Sequence, residues 1–69
     1  MAKELRAGTR VRWNTPQGET EGKVVRKLTA PCDIEGHHVA ASEDEPQFLV
    51  ESGKTGARAA HRPDALRRA

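Results

Sequence analysis

One run leaves this chain little choice of architecture: Gly8-Thr9-Arg10-Val11-Arg12-Trp13-Asn14-Thr15-Pro16-Gln17-Gly18-Glu19-Thr20-Glu21-Gly22-Lys23-Val24-Val25-Arg26-Lys27-Leu28. Val11 and Trp13 stand two apart, with Arg10, Arg12 and Asn14 around them. That is the period of a strand with one buried face, and it predicts a first strand over 10–13. Asn14 to Gly18 has turn chemistry, because Pro16 presets φ and Gly18 supplies a positive one. A second strand is expected over 20–28, carrying Gly22, Val24 and Leu28. Gly22 packs nothing inside a strand and points to a bulge or a close backbone approach. Val24 and Val25 are adjacent, so one of them leaves the inward face unless the strand bends there; a bend is expected.

The rest of the chain repeats this grammar in shorter pieces. Residues 1–7 read as a lead-in, with Leu5 tucked against the domain and Lys3 and Arg6 solvated. Residues 8–69 form a single domain. Thr29 to Gly36 is a connection, marked by Pro31 and Gly36, with Ile34 its one strong apolar residue. His37 to Ala41 makes a third strand. Ser42 to Pro46 is an acidic loop in which Ser42 can cap one turn, with Glu45 at capping-box spacing and Pro46 as its stop. Gln47 to Glu51 is a strand with Phe48 and Val50 on one face. Ser52 to Gly56 is a tight connection, and Ala57 to Ala60 returns. Pro63 to Arg68 then reads as a terminal helical turn, with Pro63 at a first helical position and Arg67 and Arg68 in a last turn. Short strands at regular spacing with turns between them predict an all-β fold, a small five-stranded barrel with a short C-terminal helical turn.

Composition narrows the function classes. With 69 residues the core is small and stability modest. Two aromatics, Trp13 and Phe48, are its only large anchors. A formal charge of +2 and a pI of about 9.1 permit phosphate binding, but are far from the charge of a nucleic-acid-binding arm. The single cysteine excludes an internal disulfide framework, which fits a reducing, cytoplasmic setting. Met1 to Arg6 has no apolar run of the kind a secretory signal needs, and no window suits a membrane span. A monomer without cofactor or metal is expected.

Catalytic patterns fail on spacing. Gly53-Lys54-Thr55 lacks the Gly that a phosphate-binding loop places five residues earlier, where Phe48 stands, and it leads into a strand instead of a helix. A looser anion contact through Lys54 and the Gly53 and Gly56 amides stays open. Cys32, His37, His38 and His61 match no zinc spacing, and adjacent histidines on a strand face opposite ways. Cys32 has no oxyanion arrangement nearby. Glu43, Asp44 and Glu45 crowd one loop and read as a solvated cluster or an interaction edge. The chain is not expected to be an enzyme.

Ala41-Ser42-Glu43-Asp44-Glu45-Pro46-Gln47-Phe48-Leu49-Val50, the following Ser52-Gly53-Lys54-Thr55-Gly56, and Ala60-His61-Arg62-Pro63-Asp64-Ala65-Leu66 resemble a known pattern. Together with Gly8-Thr9-Arg10-Val11-Arg12-Trp13, they are similar to the hypervirulence-associated protein TUDOR domain family of bacteria and fungi. The resemblance runs from Gly8 to about Arg68. It implies an SH3-like, Tudor-type barrel and no reaction. Phe48 stands where members more often carry Tyr. Reading methylated Lys or Arg takes several aromatic faces around the cation, and two aromatics without a Tyr do not supply them.

The basic residues carry the leading functional reading. Arg10 and Arg12 share the outward face of the first strand; Lys23, Arg26 and Lys27 lie on the second, and Arg58 on the last. Gly8-Thr9-Arg10-Val11 followed by Gly22-Lys23-Val24-Val25 also resembles the KOW element of ribosomal and transcription barrels. These cations, with Lys54, predict weak, sequence-independent nucleic-acid binding by a basic hairpin face. The alternative is a protein-interaction module, with a peptide in a groove at Trp13, Phe48 and His61 or paired with a strand edge. A small phosphorylated ligand at Lys54 is a third reading.

Overall fold

The computed structural model describes residues 5–69. The expectation that Lys3 is solvated lies outside the described residues. The strands are β1 (Arg10–Thr15), β2 (Gly18–Leu28), β3 (Cys32–Ile34), β4 (His37–Val39), β5 (Gln47–Ser52), β6 (Arg58–His61) and β7 (Arg67–Arg68). A 3-10 turn spans Pro63–Ala65. Five strands form one antiparallel sheet in the order β6-β5-β2-β1-β7, and β3 and β4 form a separate two-stranded ribbon.

The first hairpin forms as its alternation demands. β1 and β2 pair from Arg10 opposite Lys23 to Thr15 opposite Gly18. Thr15 Oγ1 donates to the Gly18 carbonyl at 2.7 Å and accepts the Gln17 N–H at 3.1 Å, so the tip is closed by one side chain. The bend at the paired valines is real. The β2–β5 register slips between Val24 and Arg26, a β-bulge with Val25 as the extra residue. Gly22 is a close approach. A Cβ there would overlap the Glu51 carbonyl oxygen and lie 2.7 Å from the Trp13 ring.

Several expectations need correction. The sheet does not close, since β6 and β7 remain its edges. The all-β reading holds, whereas the closed five-stranded barrel is replaced by an open sheet and a ribbon. The segment 32–34, read as connection, is a strand. It pairs with 37–39 across Glu35 and Gly36, whose φ values of 47° and 82° make the tight two-residue loop that matches strand twist. Ser42 accepts the Glu45 N–H at 3.0 Å, yet no helical turn follows before Pro46. The terminal helical turn stops at Ala65. Leu66 is extended at φ −109° and ψ 140° and fully buried, and Arg67 and Arg68 join β1 as β7.

The apolar residues form two layers. Leu5, Val11, Trp13, Val24, Phe48, Val50 and Leu66 pack on the inner face of the sheet. Leu28, Val39, Ala41 and Leu49, with Val25, Cys32, Ile34 and Ala60 around them, pack where the ribbon covers part of the outer face. β5 therefore buries Phe48, Leu49 and Val50 in succession. The uncovered end of the outer face is left to charged side chains. Among the described residues no helix is long and apolar enough to cross a membrane.

Candidate nucleic-acid interface

Strand pairing lays the charges out in rows. Arg10 faces Lys23, Lys23 faces Glu51, and Glu51 faces Arg58 across four strands. In the next row Arg67 faces Arg12, and Arg12 faces Glu21. Neighbouring strands lie about 4.8 Å apart, so these side chains form one compact surface. Its carboxylates are all engaged. Glu21 lies 3.4 Å from Arg10 and 3.7 Å from Arg12. Glu19 lies 2.6 Å from Arg67 and 4.0 Å from Arg12, and Glu51 lies 3.3 Å from Arg58. Pairs this exposed contribute little to stability. Their effect is local neutralisation, and the cations outnumber the carboxylates. Lys23 and Lys54 form no ion pair among the described residues, and the Arg10 side chain is 77% exposed.

The bulge redistributes the expected patch. Lys27 pairs with Phe48, an odd number of residues from the Glu51 opposite Lys23. Lys27 therefore sits on the other face of the sheet from Lys23, which corrects its placement in the patch. Without the extra residue the two would share a face. Arg26 lies toward the ribbon, in a cleft of about 560 Å³ with Asp33, Glu35 and Arg58. There the Arg58 N–H donates to a Glu35 carboxylate oxygen at 3.2 Å.

The β5–β6 turn organises the centre of the surface. The Ser52 N–H donates to the Ala57 carbonyl at 2.8 Å, the Gly56 N–H to the Ser52 carbonyl at 2.9 Å, and the Gly53 N–H to the Glu21 carbonyl at 3.1 Å. The Ser52 and Gly56 amides are used within the connection and the Gly53 amide by β2, so none is offered to an anion. The Lys54 side chain is what the turn presents. It lines an open cleft of about 600 Å³ with Arg10, Lys23, Glu21 and Glu51. It also lines a second cleft, of about 400 Å³, with Trp13, Pro16, Thr20, Ala57 and Ala59.

Trp13, Phe48 and His61 come together, but as packing. Trp13 is 5% and Phe48 3% exposed, so the groove expected between them is filled by the side chains themselves. The Trp13 and His61 rings lie 5.6 Å apart at 40°. Partial burial lowers the His61 pKa from 6.5. Cys32 is half-buried in β3, and His38 Nδ1 lies 3.2 Å from Asp33 Oδ1. No three His, Cys, Asp or Glu side chains cluster as metal ligands among the described residues. Sequence reasoning missed Arg67. Its signal was Leu66, the one large apolar residue between Asp64 and Arg67.

Fold and surface together define a small all-β module of Tudor type, a class of generally non-catalytic binding domains. The chain belongs to the family described as hypervirulence associated proteins TUDOR domain, whose model matches residues 8–66. No curated protein and no solved structure matches the chain.

Proposed function

We propose that this domain binds the phosphate backbone of nucleic acid, weakly and without sequence preference. Arg10, Arg12 and Lys23 make the contacts, with Lys54 and Arg58 as auxiliaries and Arg26 at the margin. The observation that carries this reading is the cleft at Arg10, Lys23 and Lys54, where both lysines are free of ion pairs among the described residues. The surface holds no exposed aromatic ring for base stacking, which supports micromolar or weaker binding. An NMR titration at low salt with short RNA and DNA tests it. Amide shifts at Arg10, Arg12, Lys23 and Lys54 are the expected result; an unchanged spectrum removes the reading.

Protein interaction is the second reading, favoured by the open sheet. β6 is an edge strand, and an extended peptide can add to such an edge. Shifts confined to Ala59, Ala60 and His61 with a peptide, and none with nucleic acid, select it.

A further inference from the structure

The two clefts beside Lys54 open mainly on opposite faces of the sheet, the second also taking in Glu19 and Arg58 of the outer face. Lys23 and Glu51 of the first belong to the outer face. Thr20 of the second is the cross-strand partner of Trp13, and Ala59 that of Val50, both inner-face residues. The clefts meet only at the β5–β6 turn, where Ser52 and Lys54 line both. One is charged. The other brings together apolar Trp13, Pro16, Ala57 and Ala59, with Thr20 and Thr55 also in its lining.

We infer that the clefts form one site for single-stranded nucleic acid draped over the β5–β6 turn. This inference rests on the nucleic-acid reading above and deepens it. A phosphate occupies the Arg10–Lys23–Lys54 side, and the adjoining nucleoside occupies the apolar side beside Trp13. The selection for single strands is geometric. Reaching both faces means folding the backbone around a four-residue turn, from Gly53 to Gly56. Duplex DNA is stiff over ~150 base pairs and keeps its bases inside the stack, so it touches only the outer face. A single strand bends freely and can splay a base outward. Trp13 is only 5% exposed, so the nucleoside touches little of its ring and does not stack on it. Discrimination among bases is accordingly weak.

The test uses Trp13, the only tryptophan, as a fluorescent reporter in titrations with a short single strand and a hairpin duplex of the same composition. The single strand is expected to change the emission and saturate, while the duplex binds through the outer face with Trp13 silent. Lys54→Ala, an exposed turn residue, should weaken single-strand binding severalfold. Ala57→Glu places a carboxylate in the apolar cleft at another exposed position and should abolish the emission change. Lys27→Ala, opposite Phe48 at the other end of the β2–β5 pairing and lining neither cleft, should leave binding unaltered. Equal affinity for both forms with Trp13 silent, or an Ala57→Glu variant that binds and responds like the wild type, overturns the two-cleft site while the outer-face reading stands. No binding of either form ends both.

Discussion

At the scale of single residues, Gly22 and His61 carry the sharpest consequences. Gly22 was legible as a close approach because a strand glycine contributes no packing; the strand it meets was not, since β5 is more than twenty positions away in the chain. A methyl group there meets a backbone carbonyl, which cannot swing aside, and the buried Trp13 ring. Gly22→Ala should destabilise by about 1–3 kcal/mol, read as a lowered urea midpoint. His61 has a folded-state pKa lowered from 6.5 by desolvation. As pH falls, the unfolded chain takes up the proton first, so stability present above the unfolded pKa is lost on acidification through 6.5 toward the lower folded value. A His61→Gln variant lacks this titration. Its thermal midpoint should fall less than that of the wild type over the same acid range, and parallel curves would show that His61 does not set the pH dependence.

At the scale of elements, local pattern was informative wherever one face is apolar and the other charged. β1 and β2 follow from alternation, β5 from a short apolar run in which Phe48 and Val50 share one face and Leu49 takes the other, and even the bulge was foreshadowed by Val24 and Val25. The bulge's consequence was not, because parity changes only when the partner strand is known, and Lys27 was carried to the wrong face. β4 was read as a strand, whereas β3 and β7 were missed for a different reason. Strands of two or three residues have no period to read, and they persist through tertiary packing: Ile34 and Cys32 against Leu49 and Ala60, and Leu66 within the inner layer. Leu66 thus holds β7 on β1 and seals the core. Leu66→Ala should destabilise by about 2–5 kcal/mol, a large part of the stability of a domain this small. Leu66→Met, which conserves volume, should cost under about 1.5 kcal/mol. Denaturant melts of the two variants check the pair, and an alanine variant as stable as the methionine one would show that the C-terminal strand is dispensable.

At the scale of the whole molecule, closure of the sheet could not be read from the chain. Five strand signals fit a closed barrel and an open curled sheet equally well; the difference lies in whether β6 and β7 meet, which depends on strand tilt and stagger. The electrostatic balance was nearer to view, because a net charge of +2 leaves little to spare, though which cations are free is set by register. Arg12 and Arg67 share Glu19, Arg10 and Arg12 share Glu21, and Arg58 holds Glu51, so Lys23 and Lys54 are the cleft cations without a carboxylate among the described residues, and the 77% exposed Arg10 side chain adds a third contact by exchanging Glu21 for phosphate. This yields a quantitative expectation. Each phosphate neutralised on a single strand contributes about 0.7 to the slope of log affinity against log salt, so about three contacts give a slope near about −2. Lys54→Ala should make it shallower by about 0.7, with the fold intact. Fluorescence anisotropy of a labelled single strand across a salt series measures both slopes. A slope of zero, with binding retained in high salt, would mean that apolar or backbone contacts hold the ligand, and the edge of β6 would then replace the charged face as the binding surface.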